Sequence, residues 1–418
     1  MTLPANLADP RLYEKARLPF LEAETLPPWC YTSEDWYGRE KNRLFLKCWN
    51  FIARADEIPN PGDFLVIDMV GESILLTRDR QGALHAFANF CRHRGTRLAD
   101  GKGNCKVLTC PYHGWSFAHS GELVGVPGME QTKGFDRKHW NLLALRLESW
   151  AGFLFVNFDP AAEPLTAYLG NLPERFASYR FEDFVCVRRK EYDLACNWKV
   201  YLENAMEDYH TPVVHKNSIG LQQTTTEQES RRGNWDAIFM PAKRTIAVLP
   251  EESTPFPHVP SLAGKPAGGT FFTAIYPSTF FASTQDCMWW LQSLPQGAGK
   301  TRVSIGSCFP RSTVARPDFA EVVQRYYKRW DKSLPEDNWI SERQQSGLMS
   351  AMTRPGRYSA HEPIVHAIAN WVLDRVLDAP RGKRAAPRPK TRAAARTHAT
   401  AARKAAKRRP IKAARKRR

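Results

Sequence analysis

The chain has 418 residues, 43% hydrophobic, 11% aromatic and 25% charged, which excludes a wholly disordered polymer and leaves room for two domains with cores. Its formal charge of +17 belongs to one end: residues 381–418 hold 17 of the 60 Lys and Arg residues and no Asp or Glu, so the rest carries 43 basic residues against 43 acidic ones. A basic body built for nucleic acid is excluded by that balance, as is a bilayer-spanning segment, since no run of about 18 apolar residues occurs.

The N-terminal MTLPANLADPRLYEK lacks the apolar core of a secretory signal. Residues 1–48 are expected to pack on the larger of two domains. Between 49 and 160, short β runs (FLVIDMV, ESILLTRD, ALHAFANF, KVLTC, ELVGV, LLALRLESWAGFLFVNF) alternate with turn residues, the pattern of a small all-β domain. Residues 161–380 mix helix-type stretches (PLTAYLGNLPERFASY, WKVYLENAMEDYH) with β-type runs (TFFTAIYPSTFFASTQDCMWWLQSLP, TRVSIGSCF). Helical periodicity then appears in DFAEVVQRYYKRWDK and again after Pro335, so this part reads as α+β. The Ala, Lys, Arg and Pro of 381–418 cannot bury enough apolar surface to offset ordering, and a disordered tail is expected. Nine scattered cysteines do not make a secreted disulfide framework. Reduced thiols and a cytoplasmic setting are expected.

The segment NFCRHRGTRLADGKGNCKVLTCPYHGWSF carries Cys91-x-His93 and, further on, Cys110-x-x-His113. Each arm brings one thiolate and one imidazole. A Rieske [2Fe–2S] centre needs two Cys on one iron and two His on the other, and neutral imidazoles raise its potential above that of all-Cys ferredoxins. A structural zinc site is the alternative for four such residues. Cys105 has no His partner at ligand spacing and reads as a buried free thiol; His119 reads as a surface residue.

In CNWKVYLENAMEDYHTPVVHKNS a helix is predicted from Trp198 to Tyr209, with Pro212 pushing Thr211 towards extended geometry and ending it. The bend would turn His210 and His215 to one point. Two His and one carboxylate on one face of a ferrous ion leave positions open for dioxygen and substrate. Spacing alone does not single out this pair, because His361 and His366 stand five apart around a Pro as well. That second pair lacks the Trp-Lys lead-in and an acidic residue three before its first His, and reads as surface or packing.

CRHRG followed by CPYHGW resembles the Rieske domain of ring-hydroxylating oxygenase large subunits, and Asn-Trp-Lys, Glu-Asn and Tyr-His leading to a second His resemble their catalytic domain. The resemblance implies an α+β chain: an all-β Rieske [2Fe–2S] domain plus a helix-capped antiparallel-sheet catalytic domain, with the disordered basic tail beyond. It implies Cys91, His93, Cys110 and His113 on the cluster, Gly95 and Gly114 in tight turns beside it, and Trp115 shielding it. It implies His210 and His215 on a mononuclear Fe(II), with LPEDNWISERQQSGL supplying Asp337 as the third ligand. Glu336 and Glu342 are rivals, and an Asp in a first helical turn after Pro335 needs no metal. Family members assemble as trimers, which gives Glu207 the role of bridging His113 of one chain to His210 of the next. Independently of family, a carboxylate on the remote N–H of a ligating His fixes its tautomer. Asp208 reads as solvated or ion-paired.

With no nucleotide or flavin motif in the chain, NAD(P)H would act through a partner flavin reductase, a ferredoxin, or both; a small β subunit is a further possible partner. The expected activity is hydroxylation or dihydroxylation of an aromatic small molecule. Demethylation or monooxygenation of a quaternary or N-methylated amine is the alternative, because an aromatic wall also suits a cation. Candidate wall residues are Phe271, Phe280, Phe281, Met288, Trp289 and Trp290, with only one of the two Trp able to face the pocket. A pure electron carrier would not use His210, His215 and the long second domain. Nonspecific polyanion contact by residues 381–418 is the remaining rival.

Overall fold

The computed structural model describes residues 4–226, 232–252 and 255–377. The basic tail, with the disorder and polyanion contact expected of it, lies outside them. In the β domain, Asp63–Met69 alternates buried and half-buried side chains, the period-2 pattern of a strand with one face on a core. It sits in a four-stranded antiparallel sheet ordered Leu84–Ala88, Glu72–Arg78, Asp63–Met69, Lys102–Asn104. A three-stranded sheet of Leu108–Thr109, Ser116–Phe117 and Leu123–Gly125 carries the second Cys–His arm. Leu75, Phe87, Leu98, Trp115, Phe117 and Leu123 form the core between them.

Two further strands, Asn50–Arg54 and Phe153–Asn157, pair antiparallel and are buried on both faces. The second face is covered by the large sheet: Phe153 lies 4.5 Å from Phe281 and Phe51 5.2 Å from Trp290, centroid to centroid. Gln292 Nε2 donates to the Phe51 carbonyl across the same joint. The strands that open and close the β domain therefore weld it to its neighbour through aromatic area.

The large sheet has seven antiparallel strands, ordered Phe184–Leu194, Lys300–Pro310, Met288–Gly297, Thr279–Ser283, Gly269–Ile275, Trp235–Pro241, Thr225–Thr226. Helices Trp198–Ala205, Phe319–Leu348 and Pro363–Val376 cover one side. The N-terminal segment packs there too: Glu40 and Lys199, both fully buried, pair at 2.6 Å, and Tyr31 donates to Glu203.

Two predicted boundaries are corrected. The helix does not restart after Pro335; Phe319–Leu348 runs unbroken through it for 30 residues. Its buried stripe, Tyr326, Trp330, Leu334, Asn338, Ser341 and Gln345, continues on both sides of the proline. Packing along that stripe outweighs the roughly 3 kcal/mol an interior Pro costs. The earlier helix stops at Ala205 and not at Tyr209, and Pro212 does not end it. Pro212 sits in the first turn of a new short helix, Thr211–Val214, where its missing N–H has no helical partner to lose.

His119 is also not a surface residue. It is buried, with Nε2 3.7 Å from Cys105 Sγ, because Thr77 Oγ1 donates to its carbonyl and draws the turn onto the sheet. Cys105 itself is half-buried.

Candidate active site

The two Cys–His arms are built alike. The Cys91 N–H bonds to the Thr96 carbonyl and that of Cys110 to the Trp115 carbonyl, while Gly95 and Gly114 return an N–H to the Cys carbonyls. Both glycines have φ near +74°, a conformation a side chain resists. Each loop folds its thiol inward and its imidazole outward: Cys91 and Cys110 are buried, His93 and His113 exposed. Burial pushes the Cys91 thiol pKa up, the His93 backbone N–H opposes this, and the neighbouring Cys110 thiol adds to the rise. The rings of His93 and His113 lie 4.8 Å apart, and Trp115 stacks on His93 at 5.0 Å. Among the described residues, three or more Cys, His or acidic donors converge within 4.8 Å at another place only. Two inward thiols and two outward imidazoles that do not close on one point suit two irons better than one tetrahedral zinc.

That other place is His210, His215 and Asp337. The chain leaves the helix at Ala205, turns, and re-enters helix at Thr211, which sets the two imidazoles 5.2 Å apart at 66°. A single straight helix would have splayed them. Glu207 makes the turn, its Oε2 accepting from the His210 backbone N–H and its Oε1 lying 2.6 Å from His210 Nδ1. Behind the second ring, Glu336 Oε2 lies 2.7 Å from His215 Nδ1 and accepts from Ser218 Oγ. Each Nδ1 atom thus has a carboxylate to donate to, and both Nε2 atoms turn to Asp337 Oδ1, at 3.5 Å from His210 and 3.1 Å from His215.

Two imidazole lone pairs and a buried carboxylate oxygen with no hydrogen-bond partner then face one point. Such a set needs a cation, and the hard and borderline donors, two N and one O, suit iron with open positions. Without one, protons serve: burial would lower the His210 pKa, but Asp337 and Glu207 outweigh it and push it up to about 10. Burial would raise Asp337, and the two His hold it below the ordinary carboxylate value.

The rival acids have other occupations. Glu336 touches the back of His215, and Glu342 accepts from the Ala195 backbone N–H. Asp208 is buried, accepts from Thr224 and pairs with His361 Nδ1 at 2.9 Å. His361 stacks on Tyr209, whereas His366 packs against Phe20 and Tyr358, so that pair does not converge.

Beside the triad lies a cavity of about 80 Å³. Trp289 and Phe280 line it; Trp290, Phe281, Phe271 and Met288 point through the sheet into the other core, where Trp290 and Phe281 serve the joint to the β domain. Sequence reasoning missed Tyr201, Phe272, Leu334 and Arg329, which also line the cavity. Tyr201 stands in the recognisable helix, but the others needed strand register and the unbroken course of the long helix.

Two family descriptions match the chain: a Rieske [2Fe-2S] domain over residues 48–136 and a ring hydroxylating alpha subunit catalytic domain over 181–378. The carnitine monooxygenase oxygenase subunit of Escherichia coli K12 is 35% identical over 225 residues, 53% of this chain and 60% of that protein, so the matched segment spans less than two thirds of that relative. The Acinetobacter baumannii carnitine monooxygenase oxygenase subunit is 30% identical over 273 residues, 63% of this chain and 74% of its own length. A crystal structure of a quaternary ammonium Rieske monooxygenase superposes with a TM-score of 0.73 at 25% identity, covering 87% of this chain and 98% of that one. The chain belongs to the Rieske non-haem iron oxygenases, as a large subunit. Its Rieske domain is of the kind that carries a [2Fe–2S] cluster and its catalytic domain of the kind that carries a mononuclear iron.

Proposed function

We propose that this chain is the oxygenase component of a cytoplasmic system in which a separate NAD(P)H-dependent flavin reductase, directly or through a ferredoxin, supplies electrons. His210, His215 and Asp337 hold the iron; Cys91, Cys110, His93 and His113 hold the cluster. When bound, these groups supply single electrons and dioxygen activation. Every other contribution comes from the chain. Glu207 and Glu336 fix the tautomers of the two His so that both Nε2 lone pairs face the metal. Trp289, Phe280, Phe272 and Tyr201 form a wall that keeps water from the substrate.

The observation that carries this reading is the convergence of two outward-braced imidazoles on one buried, unpartnered carboxylate oxygen. Of the two substrate classes the sequence left open, the named relatives support oxygenation or demethylation of an N-methylated or quaternary amine, which the aromatic wall can hold through cation–π contact. The same flat wall supports ring hydroxylation of an aromatic acid as the second reading.

The imidazoles of His93 and His113 are exposed, so they are placed to meet another protein surface, whereas His210 is half-buried. A homotrimer in which His113 of one chain approaches Glu207 of the next would use them. The test is single turnover: reduce the protein chemically, admit dioxygen, and offer N-methylated amines and aromatic acids. Formaldehyde with a demethylated amine supports the first reading, and a hydroxylated ring the second. No product from protein carrying both metal groups rejects the function.

A further inference from the structure

Arg329 lies on the long helix two turns before Asp337, about 12 Å along the axis at 1.5 Å per residue. Only 4% of its surface is exposed, and it lines the cavity beside the triad. Its Nε donates to the Ile246 carbonyl at 2.6 Å and its guanidinium rests on the Trp289 ring at 4.9 Å, which fixes its direction. Among the described residues nothing takes a hydrogen bond from its two terminal nitrogens, and no carboxylate pairs with it. A buried guanidinium without an anion is costly.

The other charged groups lining the cavity are committed elsewhere. Glu207 braces His210, Asp208 is shared by Thr224 and His361, and Asp337 faces the two His. Burial pulls the Arg329 pKa down to about 10, and the opposing pull of Asp337 and the Cys287 thiol does not make up for that desolvation. A neighbouring cavity of about 270 Å³, which shares Ile219 and Gln222 with the first and includes Ile246, has Arg244 and no acidic residue in its lining. Its charge does not oppose the approach of an anion.

Resting on the proposed function, the geometry points to Arg329 as the anchor for a carboxylate on the substrate. The guanidinium fork matches a carboxylate in two parallel hydrogen bonds. Because Arg329 and Asp337 stand two turns apart on the helix and both line the cavity, with Ser333 and Leu334 between them in the chain, a substrate held by its acid at Arg329 presents a different part of itself to Asp337. Such a substrate is an acid whose oxidised carbon lies several bonds from its carboxylate. A trimethylammonium acid and an aromatic acid share that chemistry.

Calorimetric titration of the metal-loaded protein under nitrogen separates them. The ligands are two pairs: L-carnitine against choline, and benzoate against benzamide. In at least one pair the acid should bind about tenfold or more tighter than its uncharged-tail partner, and that pair identifies the source. Arg329→Gln should weaken the preferred acid by about 10- to 100-fold, the range of a hydrogen-bonded charge, and leave its partner within about threefold. Arg329→Lys should keep part of the preference. No preference for an acid in the wild type overturns the anchor, as does equal weakening of acid and partner in an Arg329→Gln protein whose visible spectrum and melting are unchanged. If Arg329→Gln does not fold, the wild-type preference and Arg329→Lys decide. A protein that binds acids through Arg329 but oxidises neither amine nor ring breaks the proposed function and leaves the anchor standing.

Discussion

In the β domain, His93 and His113 stand exposed at loop tips, oriented by backbone hydrogen bonds and two positive-φ glycines. In the catalytic domain, His210 and His215 are recessed, and each is oriented by a carboxylate on its Nδ1. On the proposed function, the contrast follows from what each imidazole has to reach. A loop tip can present a ring to another protein only if the scaffold beneath does the orienting. A recessed ring beside a cavity can be braced from behind by a side chain, which raises its basicity as well as aiming it.

The largest expected effect separates the two regions outright. Asp337→Ala should remove the mononuclear metal and reduce turnover by at least about 1,000-fold while leaving the cluster's visible spectrum intact; Cys110→Ala should do the reverse to the metals. Metal analysis with absorption spectra reads both, and loss of both groups in either variant would break the picture of two independent sites. Glu207→Gln keeps a hydrogen-bonding group behind His210 but removes the charge. Turnover should fall by about 100-fold with both metals retained, measured as product per cluster, whereas full activity would leave Glu207 as a mere turn former.

Glu336→Gln probes the bracing alone. Iron affinity should fall by about 10- to 100-fold, as for other outer partners of a ligating His, in a competition titration with a chelator. Gly114→Ala tests the backbone-built region. No heavy atom lies closer than 3.6 Å to where the new methyl would sit, so the expected cost is the strain of φ +73° alone, about 1 kcal/mol, seen as lower thermal stability of the cluster spectrum.

The last prediction is a pH dependence. Burial, opposed by Lys199 and by the Tyr31 hydroxyl, raises Glu203 to about 8, above its unfolded value of about 4.3. Its stabilisation is therefore complete below the unfolded pKa and is lost as pH rises through about 8. Glu203→Gln should gain melting temperature relative to the wild type between pH 6 and 9. A constant difference across that range would mean Glu203 does not titrate there.

The two Cys–His arms were legible because their ligand types, spacing and glycines all sit within one short segment. His210 and His215 were legible as a pair, but the reason they converge was not: the sequence reads as one helix ended by Pro212, while the chain breaks at Ala205 and restarts at Thr211. Asp337 was separable from Glu336 only through resemblance. In the fold the two adjacent acids meet the same His215 from opposite sides, one at Nε2 and one at Nδ1.

Local information in the sequence thus determined the domain types, the two Cys–His arms, the His210–His215 pair and the alternation that sends Trp289 and Trp290 to opposite faces. Tertiary structure decided which face is the cavity, because the first and last strands of the β domain claimed Trp290 and Phe281 for a packed joint. It also decided that Pro335 would be carried through a helix, because a buried stripe on both sides outweighs one lost hydrogen bond. That same unbroken helix places Arg329 and Asp337 on one cavity wall, a relation set by long-range packing and invisible to any local pattern.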